Sequence, residues 1–176
     1  MKFLDNKPIV SFLLKAFILY VIWYIAYDLW LHPTYKVDNY IINSLGHWGS
    51  KLLSLLGYEL IEISPDDDIT TIGIDGTHGL WIGDPCSGLS LFALFTGFII
   101  AYPGSIKRKL LYIPIGILCI HLLNIMRVAA LCMVLYYTPE YLEFNHTYTF
   151  TIMVYSIVFI LWYLWVDKFS RPEQEK

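Results

Sequence analysis

LLYIPIGILCIHLLNIMRVAALCMVLYY, residues 110–137, carries one charged side chain, Arg127, in about 28 residues. As a helix rising 1.5 Å per residue it would extend ~42 Å. That exceeds the ~30 Å hydrocarbon core of a bilayer, so the segment reads as a membrane span that tilts or protrudes. An arginine inside such a span costs at least ~2.5 kcal/mol on insertion scales, which makes an intramembrane cation a functional candidate by default. Asn124 lies one turn earlier and His121 three residues before that, a polar stripe on an otherwise apolar helix. The structural alternative is that Arg127 snorkels to the headgroups or pairs with a carboxylate such as Asp28 or Asp84.

The rest of the chain fits this span. Charged residues make up 15% of the 176 residues, against roughly a quarter in soluble domains, and the deficit falls in long apolar segments. The expected fold is an all-α multipass membrane protein forming a single domain over residues 1–176. Its four main transmembrane helices are expected at about 9–31, 86–102, 110–137 and 148–166. The first follows lysines as a signal peptide would, but bulky Tyr27, Trp30 and Leu31 replace a cleavage site, so it reads as an uncleaved anchor. Net charge is −3 and the basic residues form no large patch, which speaks against a nucleic-acid partner. Three unevenly spaced cysteines make neither a disulfide framework nor a zinc ribbon. Cys119 and Cys132, inside an apolar run, read as small core fillers.

Lysine and arginine set the expected orientation. Lys107, Arg108 and Lys109 lie between the second and third spans, and Lys168, Arg171 and Lys176 follow the fourth. Both termini are then cytoplasmic, and residues 32–85 and 138–147 are extracytoplasmic. Within the first of these loops, residues 40–57 alternate apolar and polar faces at helical spacing, with Asn43, His47 and Lys51 on one side. A crossing there would invert the charge pattern, so this segment is expected as an amphipathic helix in the outer interface. Tyr58–Ile63 and Ile69–Ile74 flank an acidic turn and read as a small extracytoplasmic β-hairpin. The three aspartates of that turn lack the spacing of a calcium loop, and no metal or organic cofactor is expected.

Cys86, in Gly83-Asp84-Pro85-Cys86-Ser87-Gly88, stands where the second span is expected to begin. A helix start favours thiolate over thiol, and the small neighbours leave room for a peptide. On a helical wheel Cys86 shares a face with Ser90, Ala93 and Gly97, which directs the thiol into the bundle; alone, it could equally be a small residue at a packed helix end. His146 precedes the fourth span on the same expected face, and an imidazole could accept the thiol proton and return it to a leaving amine. His78 is the substitute base, and His121 falls too far toward the cytoplasmic side.

Cys86-Ser87-Gly88 after an outward hairpin, Asn124-x-x-Arg127 in a later span and His146 before the last one resemble the exosortase/archaeosortase family. The resemblance covers most of the chain, best over residues 57–166, and is strongest toward the compact members of Bacteroidetes-type bacteria. It implies a membrane cysteine transpeptidase of the bacterial inner membrane, with an extracytoplasmic active site. Its clients would be exported proteins ending in a short motif, a transmembrane helix and a basic tail, with a small partner membrane protein as a further candidate. It also implies Cys86 as nucleophile with Arg127 and His146 as catalytic partners. Ser87, Ser90 and Asn124 are candidate substrate-binding or supporting residues. The rival expectation is a non-catalytic membrane assembly or transport subunit in which Arg127 is structurally paired.

Overall fold

A computed structural model describes residues 7–34, 36–62, 71–83 and 86–170. The acidic turn 64–68, Asp84 and Pro85, and the tail 171–176 lie outside them. Five helices longer than ten residues are present among the described residues: α1 (Lys7–Ala26), α2 (Lys36–Leu55), α3 (Leu89–Ala101), α4 (Ile106–Tyr137) and α6 (Phe150–Leu164). A one-turn α5 (Leu142–Phe144) joins the last two, and two short strands, β1 (Thr71–Ile72) and β2 (Leu80–Trp81), complete the fold. The helical runs Ile9–Thr34, Ile106–Tyr137 and Pro139–Phe169 are long and apolar enough to cross a membrane. The expected second span is shorter, because α3 has only 13 residues, or ~20 Å of helix.

α4 is the spine. At 32 residues it is ~48 Å long, and its two halves serve two separate cores. In the half near the basic turn 107–109, α3 and α6 pack on it around Phe95, Ile99, Ile120, Val158 and Trp165. The Phe95 ring lies directly against Gly116, in the place where a Cβ would stand. Glycine there lets α3 and α4 approach closely, so Gly116→Val is expected to destabilise the fold by about 1–3 kcal/mol through overpacking. A lowered unfolding temperature in detergent, with Gly97→Val as an unhindered control, checks this. Lys109 ties the α3–α4 turn, donating to the carbonyls of Ile100 (2.8 Å) and Tyr102 (2.6 Å), which are left without helical partners at the end of α3.

The other half of α4 carries α2 and the strands. Ile42, Leu45 and Leu53 of α2 pack with Ile125, Val128, Ala129 and Cys132 of α4. Contacts step along both segments in the same direction: Ser44 with His121, Gly49 with Val128, Tyr58 with Tyr137. α2 therefore runs parallel to α4. The amphipathic pattern was legible, and part of the apolar face it predicts, at Ile42, Leu45 and Leu53, is covered by protein. Small residues are the reason: Gly46 and Gly49 on the buried face let the two helices meet along their length.

The strand pairing is also richer than a single hairpin. Within the described residues, 59–61 and 73–75 meet antiparallel, as a bridge between Leu60 and Ile74 supported by Ile61 N–H to Gly73 O and Asp75 N–H to Glu59 O. β1 pairs in turn with β2, Thr71 opposite Trp81 and Ile72 opposite Leu80. Thr77 shapes the turn between them by donating to Ile74 O (2.7 Å) and accepting from Gly79 N–H (3.3 Å). Ile72, fully buried, plugs this sheet onto α2 and α4.

Candidate active site

The loop that carries Cys86 lies between the two cores. Ahead of α3 the backbone turns on Cys86 N–H donating to Gly83 O (2.9 Å). Ser87 Oγ accepts from Leu89 N–H (3.3 Å), and Gly88 takes φ = 77° before the helix starts. Such a left-handed residue is cheap only for glycine. Cys86 is thus three residues ahead of Leu89 and not in the first turn of α3. Its expected alignment with Ser90, Ala93 and Gly97 is lost, because a wheel applies only to continuous helix. The thiol packs instead against the core of α2, the strands and α4, while Ser90, Ala93 and Gly97 face a groove beside α1.

Cys86 Sγ lies 3.4 Å from His146 Nε2. A turn of π-helix, Asn145–Thr149, brings the histidine there. Such a wide turn shifts every side chain on one face relative to a regular helix, and it recurs at functional sites. The turn is held by Asn145 Nδ2 donating to Tyr141 O (2.9 Å) and by Thr151 Oγ1 donating to His146 O (3.2 Å). Arg127 and His146 line one pocket of about 340 Å³ together with Ser87, Ser90, Thr147 and Thr151. His78 does not reach it, and His121 is engaged by Ser44 Oγ at 3.1 Å.

Two buried polar groups here have unused capacity. Arg127 is 9% exposed, its Nε has no hydrogen-bond partner, and no carboxylate among the described residues pairs with it. Asn124 is fully buried, neither amide atom is bonded, and its Nδ2 stands against Gly88 where a Cβ would be. Buried donors are ordinarily satisfied, and a bare one costs about 1–3 kcal/mol. Of the two, Arg127 lines the pocket with His146, while Asn124 lies behind Gly88.

The expected preformed thiolate is corrected. Burial pushes the Cys86 thiol above its ordinary pKa, while the Arg127 charge and a backbone hydrogen bond at Gly83 pull it partly back. Desolvation disfavours the charged form and outweighs a helix end that lies three residues away. A thiol at this position can donate only to an unprotonated Nε2. With Cys119 and Cys132 replaced by serine, Cys86 alkylation is expected to titrate above an ordinary thiol. Arg127→Gln should move the midpoint higher still, since the guanidinium favours the thiolate. A pH series of alkylation rates reads both.

A thiol touching an imidazole near a buried guanidinium lies in a chain with three candidate membrane spans, which makes this a multi-pass membrane protein. The chain belongs to the transmembrane exosortase family: the family model described as Transmembrane exosortase (Exosortase_EpsH) matches residues 9–164. Membership implies a membrane sorting enzyme whose clients carry sorting signals, and it suggests a cysteine transpeptidase. Comparisons with curated proteins and with solved structures gave no match.

Proposed function

We propose that this protein cleaves the C-terminal sorting signal of exported clients through a thioester at Cys86. The carrying observation is the 3.4 Å contact between Cys86 Sγ and His146 Nε2. The thiol proton passes to His146 Nε2 as sulfur attacks the scissile carbonyl carbon. The resulting oxyanion is stabilised by Arg127, by Asn124 Nδ2 and by backbone N–H groups near Ser87; one such donor elsewhere is worth about 10²–10³ in rate. Collapse breaks the C–N bond, and the departing amine takes the proton from His146. An amine acceptor or water then attacks the thioester, releasing the product and restoring the thiol.

The topology belongs to the same proposal. The basic turn 107–109 is cytoplasmic by the charge rule, so the Cys86 pocket opens toward the extracytoplasmic side of an inner membrane. α3 counts as a fourth, short crossing, with the Cys86–Gly88 turn beyond its outer end, where Ser87 is 1% exposed. The rival reading, an assembly or transport subunit, needs Arg127 held in a structural pair, and none is present among the described residues.

The test co-expresses the protein with tagged exported proteins that end in an apolar helix and a basic tail, and follows their mass. Wild type is expected to shorten or transfer a client, and Cys86→Ala to leave it intact. Equal processing by folded Cys86→Ala would end the proposal.

A further inference from the structure

Next to the polar pocket lies a second cavity, about 460 Å³, open along the side of the helical bundle between α1, α3 and α6. It is walled by Phe12, Leu19 and Trp23 of α1, by the small stripe Ser90, Ala93 and Gly97 of α3, and by Tyr155 and Trp162 of α6. Ser90, Leu91 and Tyr155 line both this groove and the Arg127–His146 pocket. The two cavities therefore adjoin, one apolar and running along the helix axes, the other polar and reaching His146, whose Nε2 touches the Cys86 thiol. We infer that the groove is the lateral entrance through which an apolar helix of the client seats itself, delivering the residues just beyond its end to Cys86. This rests on the function proposed above and names where on the enzyme the client is held.

Three observations select an apolar helix as the occupant. The groove follows α1 from Phe12 to Asp28, a rise of ~24 Å, which matches the length of a helix side and not of a compact solute. A small-residue stripe admits close backbone approach by another helix, and a side chain placed on Gly97 would meet nothing within 4 Å, so the space is vacant. Aromatic rings line both ends, and the carboxylate of the lining, Asp28, lies at the end that leads to the pocket. A helix with an apolar body and a polar leading segment fits in one direction only, with the polar segment toward the thiol. The entrance involves α1, so docking uses α1, α3 and α6.

The experiment places a photo-crosslinking amino acid at Ala93, or at Leu118 on the exposed face of α4, in Cys86→Ala protein. A tagged exported protein ending in an apolar helix and a basic tail is co-expressed. The Ala93 probe is expected to capture that helix at least tenfold more than the Leu118 probe. In the active enzyme, Gly97→Leu should lower processing at least tenfold while Cys86 alkylation by a small reagent stays unchanged. Equal capture at both positions, lipid adducts alone, or wild-type processing by Gly97→Leu overturns the entrance. Capture at Ala93 with no processing by wild type would instead uphold the entrance and sink the proposed chemistry.

Discussion

His146→Ala is expected to lower client processing by about 10²–10⁴-fold, the range ordinarily supplied by a positioned general acid–base. Burial pushes the Cys86 thiol above its ordinary pKa, so attack depends on a base within reach. Only His146 Nε2, at 3.4 Å, meets that requirement among the described residues. The loss should shrink as pH rises, because hydroxide progressively removes the thiol proton without help. Processing rates of wild type and His146→Ala across pH therefore converge on the alkaline side. A constant ratio over the whole range would mean that His146 does not take the proton. The imidazole lies at a protein–pocket boundary, so its loss should leave the unfolding temperature nearly unchanged.

The second large effect is expected from one methyl group. Gly88→Ala should abolish most processing, although residue 88 carries no reactive atom. Two costs coincide there: φ = 77° disfavours any L side chain by roughly 1–2 kcal/mol, and the new Cβ collides with the buried Asn124 amide, an overpacking typically worth about 1–3 kcal/mol. Asn124 is locked in α4, the spine of both cores, so the Cys86–Gly88 turn must yield. A displacement of about 1 Å can cost 10²-fold in rate. Client processing by Gly88→Ala should fall at least that far, with a slowed alkylation of Cys86 reporting the moved thiol. Normal processing would show that the turn has slack and that Asn124 does not brace it.

Membrane character and the helical segments were legible in sequence because they rest on local quantities. Uninterrupted apolar length predicts α1, α4 and α6, and α2 showed its periodic apolar face. Cys86, Arg127 and His146 were singled out by the same means, as ionisable or nucleophilic groups in places where bare membrane protein would not keep them. The limits of α3 were misread, since Pro85-Cys86-Ser87-Gly88 resembles a helix start and only the left-handed Gly88 delays it to Leu89. The thiolate expectation fell with that start, because dipole effects fade within a turn while burial acts wherever the loop is covered.

By itself the sequence determined the class of molecule and the apolar helical segments, set by composition and spacing along one segment at a time, and it offered Cys86, Arg127 and His146 as candidates. Tertiary structure alone decided that sulfur and imidazole touch, that the Asn124 amide stands against Gly88 and that an apolar groove meets the polar pocket. Those depend on the angle and register at which α1, α2, α3 and α6 assemble with α4. Close packing of side chains from distant segments sets that geometry, and no single stretch of chain encodes it.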